Sequence, residues 1–206
     1  MTARTSSVDD HFARAAENFD RSPISLQLAS LADRLLQHLP VEDHQHWLDF
    51  GAGTGVLSVP LATRVAQVTA LDTSAAMLDK VRSKQVANIV PLNQDIFCGL
   101  PCQFDGIVSS MALHHVADIP GLFACMQQCL LPGGRIALID LFAEDGSFHG
   151  DNRGKGVKHL GFVPEHLLCH AREAGFEELA LSEFFHIEHK NGRRYPLFLL
   201  TGRTAE

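Results

Sequence analysis

Two adjacent histidines, His114 and His115, and three carboxylates upstream of them are the side chains best placed in this sequence to do chemistry. A neutral imidazole near its pKa can take a proton from a hydroxyl, thiol or ammonium nucleophile. A carboxylate can accept from both hydroxyls of a cis-diol. Asp49 and Asp72 each close an apolar run, Trp47-Leu48 and Val68-Thr69-Ala70-Leu71, and Asp95 follows Ile89-Val90-Pro91-Leu92-Asn93. Immediately after Asp49 come three glycines spaced two apart, Gly51-Ala52-Gly53-Thr54-Gly55. A strand, a glycine turn and a helix in that order let a ligand approach bare backbone at a helix N-terminus. Glycine is required where a Cβ would meet the ligand or forbid the turn. Asp72 falls about 20 residues past the glycines, where a nucleoside-binding βαβ unit places an acid on the ribose hydroxyls. The plainer alternative is that Asp72-Thr73-Ser74 only caps the next helix.

The elements that must hold these residues alternate strand and helix. His46–Phe50, Gln67–Leu71, Ile89–Asn93, Phe104–Ser110 and Arg135–Asp140 read as strands, and Pro91 predicts an edge position for the third. Helical spacing is predicted over Val56–Ala66, over the run holding Ala75, Met77, Leu78 and Val81, over Gly121–Leu130, and from Pro164 through Ala171. Leu179–Ile187 and Tyr195–Leu200 are the last two strands, and Asn191-Gly192 between them signals a hairpin. Before the first strand, Phe12, Ala15, Ala16 and Phe19 recur at helical spacing, and Pro23 opens a second helix ending before Pro40. Residues 143–158 form a long polar, glycine-rich stretch, read as a substrate loop or mobile lid. Asp140, at a strand end, either lines the site or begins a turn.

The glycine spacing departs from the dinucleotide pattern, because the third glycine comes one residue early and Val56 stands where a small residue belongs. Leu48–Gly55 instead resembles the first motif of class I S-adenosylmethionine-dependent methyltransferases. The resemblance runs on, in the family's order, through Val68–Ser74, Asn93–Ile96, Phe104–Val108, Leu130–Gly134 and Ala174-Gly175-Phe176. It implies an α/β fold: a Rossmann-like, mostly parallel seven-stranded sheet with an antiparallel last strand, helices on both faces and an N-terminal helical lid. Residues 1–40 would be the lid and 41–206 the cofactor-binding domain, as a single globular unit.

The same resemblance implies S-adenosyl-L-methionine as cofactor and S-adenosyl-L-homocysteine as product. It places Gly51, Ala52 and Gly53 against the cofactor, Asp49 near its amino group, and Asp72 with Thr73 at the ribose. Asp95 would accept from the adenine amino group with Ile96 beside the ring, and Ser109 would lie along the methionyl part. Phe19 would close over the cofactor or simply pack. After the fourth strand stands Ser109-Ser110-Met111-Ala112-Leu113-His114-His115 rather than Asn/Asp-Pro-Pro-aromatic, which disfavours acceptors that are nucleobase amines or protein amides. His114 and His115 fall where an acceptor would sit, as a base or as hydrogen-bonding residues. His159, in a His-Leu-Gly-Phe entry to the last helix, faces the substrate or packs on Phe162.

Composition bounds the alternatives. The chain has 206 residues and a net charge of −7 with histidines neutral, the wrong sign for a phosphate-neutralising nucleic-acid binder. No apolar run nears the ~20 residues of a membrane span, and Met1–Asp10 has no secretory core. The five cysteines read as small hydrophobes in a reducing cytosol rather than as disulfides or metal ligands. No Glu-x-x-His or second cluster at helical spacing supports a metal. The reading is therefore a cytoplasmic monomer or homodimer that methylates a small molecule, with no metal, nucleic-acid or membrane partner. A nicotinamide-dependent oxidoreductase and a non-catalytic binder of S-adenosylmethionine or S-adenosylhomocysteine are the rivals.

Overall fold

A computed structural model describes Ala16 and residues 19–206; the expected first helix, with Phe12 and Ala15, lies outside the described residues apart from Ala16. Seven strands form one sheet among these residues: β1 (His46–Phe50), β2 (Gln67–Asp72), β3 (Ile89–Asn93), β4 (Phe104–Ser110), β5 (Leu130–Leu141), β6 (Glu177–Glu188) and β7 (Arg194–Arg203). Their order is β3-β2-β1-β4-β5-β7-β6. β7 runs antiparallel to both neighbours and the other pairings are parallel, as the sequence predicts. β3 is an edge, where Pro91 is tolerated because a lost N–H faces no partner strand.

Alternation along the strands divides the core in two. Trp47, Val108, Ala137 and Ile139 join one apolar cluster, while Leu48, Ile107, Ile136 and Leu138 join the other. The first cluster is covered by α1 (Pro23–His38), α2 (Ser58–Leu61) and α3 (Ala75–Ser83); the second by α4 (Ile119–Gln128) and α5 (Pro164–Glu173). Three of the longer helices start at a side-chain cap: Ser22 and Ser74 hydroxyls accept from Ser25 and Met77 N–H, and Asp118 accepts from Gly121 N–H; α5 instead opens on Pro164, behind Val163 with no side-chain cap.

Three elements differ from expectation. The helix after the glycines is one turn, Ser58–Leu61, flanked by turns, because Pro60 and the positive φ of Gly53 and Gly55 restrict its start. β5 begins at Leu130, since the chain through Pro132-Gly133-Gly134 already pairs Leu130 with Phe104. And α1, expected as part of a lid, packs into the core: Leu31, Ala32 and Leu35 are fully buried in the same cluster as Trp47 and Leu197. Of the cysteines, Cys129 is buried and Cys125 partly so, whereas Cys98, Cys102 and Cys169 are exposed; none is paired. No helix among the described residues is long and apolar enough to cross a membrane.

One packing contact fixes the centre of the sheet. Trp47 pairs with Gly106 across β1 and β4, and its indole lies where a Cβ on Gly106 would stand. Gly106→Ala should therefore lower stability by about 1–3 kcal/mol through overpacking. Urea unfolding followed by the fluorescence of Trp47, the chain's one tryptophan, measures it; an unchanged midpoint would contradict this account of the contact.

Candidate active site

In strand order, the sheet reverses direction of growth between β1 and β4, and a crevice opens at their carboxyl ends. A cavity of about 1190 Å³ occupies that crevice. Its wall includes Phe19, Asp49, Gly51, Ala52, Gly53, Asp72, Thr73, Asp95, Ile96, His114 and His115. Two of the expected residues are not in it. Ser109 is buried and donates to the Phe50 carbonyl at 2.8 Å inside the sheet, and the neighbouring Ser110 takes the wall. The Ser110 hydroxyl is buried with no hydrogen-bond partner among the described residues. His159 places Nε2 2.9 Å from the Val116 carbonyl and its ring against Phe162.

The glycine turn forms the first half of the site. Gly51 holds φ +66°, and a Cβ there would collide with that of Ala112. Gly53 holds φ +54° with open space where a Cβ would project, so a ligand can lie directly on this backbone. Its N–H donates to Asp72 Oδ2 at 2.8 Å, and Ser74 N–H donates to Oδ1 at 2.8 Å. Burial raises the Asp72 carboxyl, opposed by these N–H groups. Asp72 thus both joins the turn and stands in the cavity wall.

Asp49 is fully buried at the end of β1 and accepts from the Ser58 hydroxyl at 2.5 Å. Burial pushes its carboxyl up to about 7, the Ser58 hydrogen bond opposing and the nearby Asp72 charge adding to the rise. A cationic group arriving in the cavity would find there a carboxyl ready to lose its proton. Asp95 is exposed and caps the short turn Ile96–Cys98 by accepting from Phe97 N–H at 3.0 Å.

The 3₁₀ turn Phe19–Arg21 is fastened beside the glycines. Asp20 accepts from the Thr54 hydroxyl at 2.5 Å and pairs with the Lys84 ammonium at 2.9 Å, and Lys84 also donates to the Thr54 carbonyl at 2.7 Å. This tie is what brings Phe19 to the cavity wall.

The second half is built on Asp140, at the end of β5. It is fully buried and accepts three times: from His114 Nδ1 at 2.7 Å, from His114 N–H at 3.1 Å and from Leu141 N–H at 2.7 Å. Burial alone would raise this carboxyl; the His114 charge and these donors outweigh it and hold it below the ordinary carboxylate range. With Nδ1 engaged by the carboxylate, His114 turns Nε2 away from it, 3.0 Å from His149 Nε2. Burial, with His114, His115 and Lys155 adding, lowers the His149 imidazole to about 3, so it stays neutral at physiological pH.

Asp140 and His149 carry no local signal of these roles. Asp140 reads as any strand-end acid until β4 and β5 are paired. His149 lies in the polar glycine-rich stretch, where the apolar Phe148, buried at 4% exposure, is the one cue that the loop folds inward. Rather than hanging free, the loop is bonded at its far end, Lys158 and His159 N–H both donating to the His114 carbonyl.

Comparison with known proteins agrees with this geometry. A family model described as a methyltransferase domain matches residues 14–187. The chain is 38% identical over 136 residues to the biotin biosynthesis bifunctional protein BioHC of Cellvibrio japonicus, covering 62% of this chain and 26% of that protein. The match spans from about a quarter to just over half of the length of the first such curated relatives. Among solved structures, the complex of DhpI with S-adenosylhomocysteine superposes with a TM-score of 0.77 at 21% identity, over 97% of this chain and 96% of that one. A methyltransferase complex with the Haloferax volcanii Trm112 activator gives 0.79 at 18% identity, over 95% and 98%. The seven-stranded sheet, the crevice at its reversal point and the family match together make this chain a member of the class I S-adenosylmethionine-dependent methyltransferases.

Proposed function

We propose that this protein transfers the methyl group of S-adenosylmethionine to a small-molecule acceptor held beside the histidines. The observation that carries the reading is that one cavity is walled by the glycine turn with Asp49 and Asp72 and also by His114 and His115. Cofactor and acceptor would thus share a single cavity.

In this reading Asp72 accepts from the ribose diol, and the cofactor's chain lies against the bare backbone of the Gly51–Gly53 turn. Asp49 faces its amino group, and Asp95 and Ile96 border the adenine. Phe19 closes the near side. The sulfonium is already an activated donor, so no covalent enzyme intermediate is needed. Most of the acceleration comes from holding the nucleophile in line with the methyl group, which is worth up to about 7–11 kcal/mol.

His114 supplies the acceptor side. Asp140 fixes its tautomer, and when the acceptor takes the place of the His149 ring, 3.0 Å from Nε2, that nitrogen takes the nucleophile's proton as the bond to the methyl carbon forms. His115 stands beside it, ring centroids 4.2 Å apart, and helps hold the acceptor. Lys155 and Lys158 also line the cavity, which favours an acceptor carrying negative charge. The test is transfer of a labelled methyl group from S-adenosylmethionine to a metabolite fraction. Binding of S-adenosylhomocysteine without any transfer would favour the non-catalytic binder, and protection by NAD alone the oxidoreductase.

Three outcomes are expected of variants and pH. Asp72→Ala should weaken S-adenosylhomocysteine binding by about 1–3 kcal/mol, since the ribose hydroxyls lose their acceptor; calorimetry giving wild-type affinity would refute the assignment. Asp140→Asn should leave that affinity intact but lower kcat about 10²–10⁴-fold, because an amide no longer enforces the tautomer; an unchanged kcat and pH profile would remove the base. Asp49 is about half protonated near pH 7 in the free protein, and a cationic amino group beside it lowers its pKa. Binding must then release protons, so affinity rises with pH up to about 7 and levels off above it. Calorimetry in buffers of differing ionisation enthalpy reads that proton release, which should vanish in Asp49→Asn.

A further inference from the structure

We infer that His114, His115 and His149 form a binding site for a divalent transition-metal ion of the zinc class, opening onto the acceptor part of the cavity. One ring nitrogen from each histidine lies within 4.8 Å of the other two. Tetrahedral zinc bound at about 2.0–2.1 Å separates its ligand nitrogens by roughly 3.3–3.4 Å. The 3.0 Å contact between His114 Nε2 and His149 Nε2 is already close to that spacing, and small ring rotations bring in the third nitrogen.

The surroundings favour a metal over a chance gathering of imidazoles. His114 offers Nε2 because Asp140 holds Nδ1 at 2.7 Å, the carboxylate–histidine support that orients metal ligands and raises their basicity. His115 Nδ1 lies 3.3 Å from the Gly156 carbonyl. His149 is delivered by a loop anchored on the His114 carbonyl and on buried Phe148. Three imidazoles and no carboxylate ligand suit zinc, cobalt or iron(II) and not magnesium or calcium. All three rings line the cavity, so the fourth position faces the space where the acceptor binds, as at catalytic rather than structural zinc sites.

The existence of this site is independent of the methyl-transfer reading; its use rests on that reading. With a metal on Nε2, His114 no longer takes the proton. A hydroxyl or thiol of the acceptor enters the open position as its anion, its proton leaving on the displaced hydroxide as water. The heteroatom then attacks the methyl carbon, a carbon–heteroatom bond forms as the carbon–sulfur bond breaks, and that electron pair stays on sulfur.

The test uses the full chain, stripped with chelator and titrated with Co²⁺ and Zn²⁺ in the absence of cofactor. We expect one equivalent bound, with cobalt d–d bands and no thiolate charge-transfer band, since five cysteines offer a rival site. His149→Ala and His115→Ala should each weaken binding at least a hundredfold, and Asp140→Asn about 10–100-fold, with thermal melts and S-adenosylhomocysteine affinity showing that the variants fold. Absence of binding in the wild type, undiminished binding in the histidine variants, or a thiolate band would overturn the proposal. Metal binding without methyl transfer would uphold the site while ending the functional reading, and transfer that proceeds without metal binding would do the reverse.

Discussion

A carboxylate removed from water must find donors for its lone pairs, and Asp140 finds three, two of them on His114. Much of the His114 side of the cavity follows from that requirement. The bond to His114 N–H fixes the backbone just after β4, and the bond to Nδ1 fixes the ring. The His114 carbonyl, so placed, accepts from Lys158 and His159 and draws the 143–158 loop over the crevice. Removing the imidazole would leave a buried charge short of a partner, a loss far larger than that of one surface ion pair.

The glycine-turn side answers to a different constraint. Asp49 and Asp72 are two carboxylates withdrawn from solvent, and the Asp72 charge adds to the rise that burial gives Asp49. Without ligand the strain is relieved by the Ser58 hydroxyl, by N–H groups of Gly53 and Ser74, and by a proton on Asp49. In the proposed reading, a diol and an ammonium group would supply what these two carboxylates lack. The two halves meet where β1 and β4 part, so neither can be assembled without the sheet's change of direction.

The strands, their order-setting edge signal at Pro91 and the glycine turn were legible because each depends on local chemistry. Period-two burial marks strands, and a missing N–H or a missing Cβ marks where they sit. The place of Asp72 in the cavity wall beside the glycine turn was legible for the same reason, since it stands at a fixed distance from the glycines. The Asp140–His114–His149 line was not, because it is made by pairing β4 with β5 and by folding in a loop 35 residues away. Sequence spacing holds no record of either. Ser109 shows the complementary error: a strand alternates sides with every residue, so a placement one position off sends the hydroxyl into the sheet and puts Ser110 at the wall.

The clasp between Asp20, Thr54 and Lys84 has a consequence for turnover. It ties the segment carrying Phe19 to the very loop on which the nucleoside would rest, so a door and its seat would be joined through a hydrogen bond from Thr54 to Asp20 and a part-exposed ion pair that bridges Asp20 to Lys84. Such pairs weaken as dissolved ions screen them. In an enzyme of this design, the departure of the spent nucleoside, more than the chemical step, would quicken in brine and slow in dilute buffer.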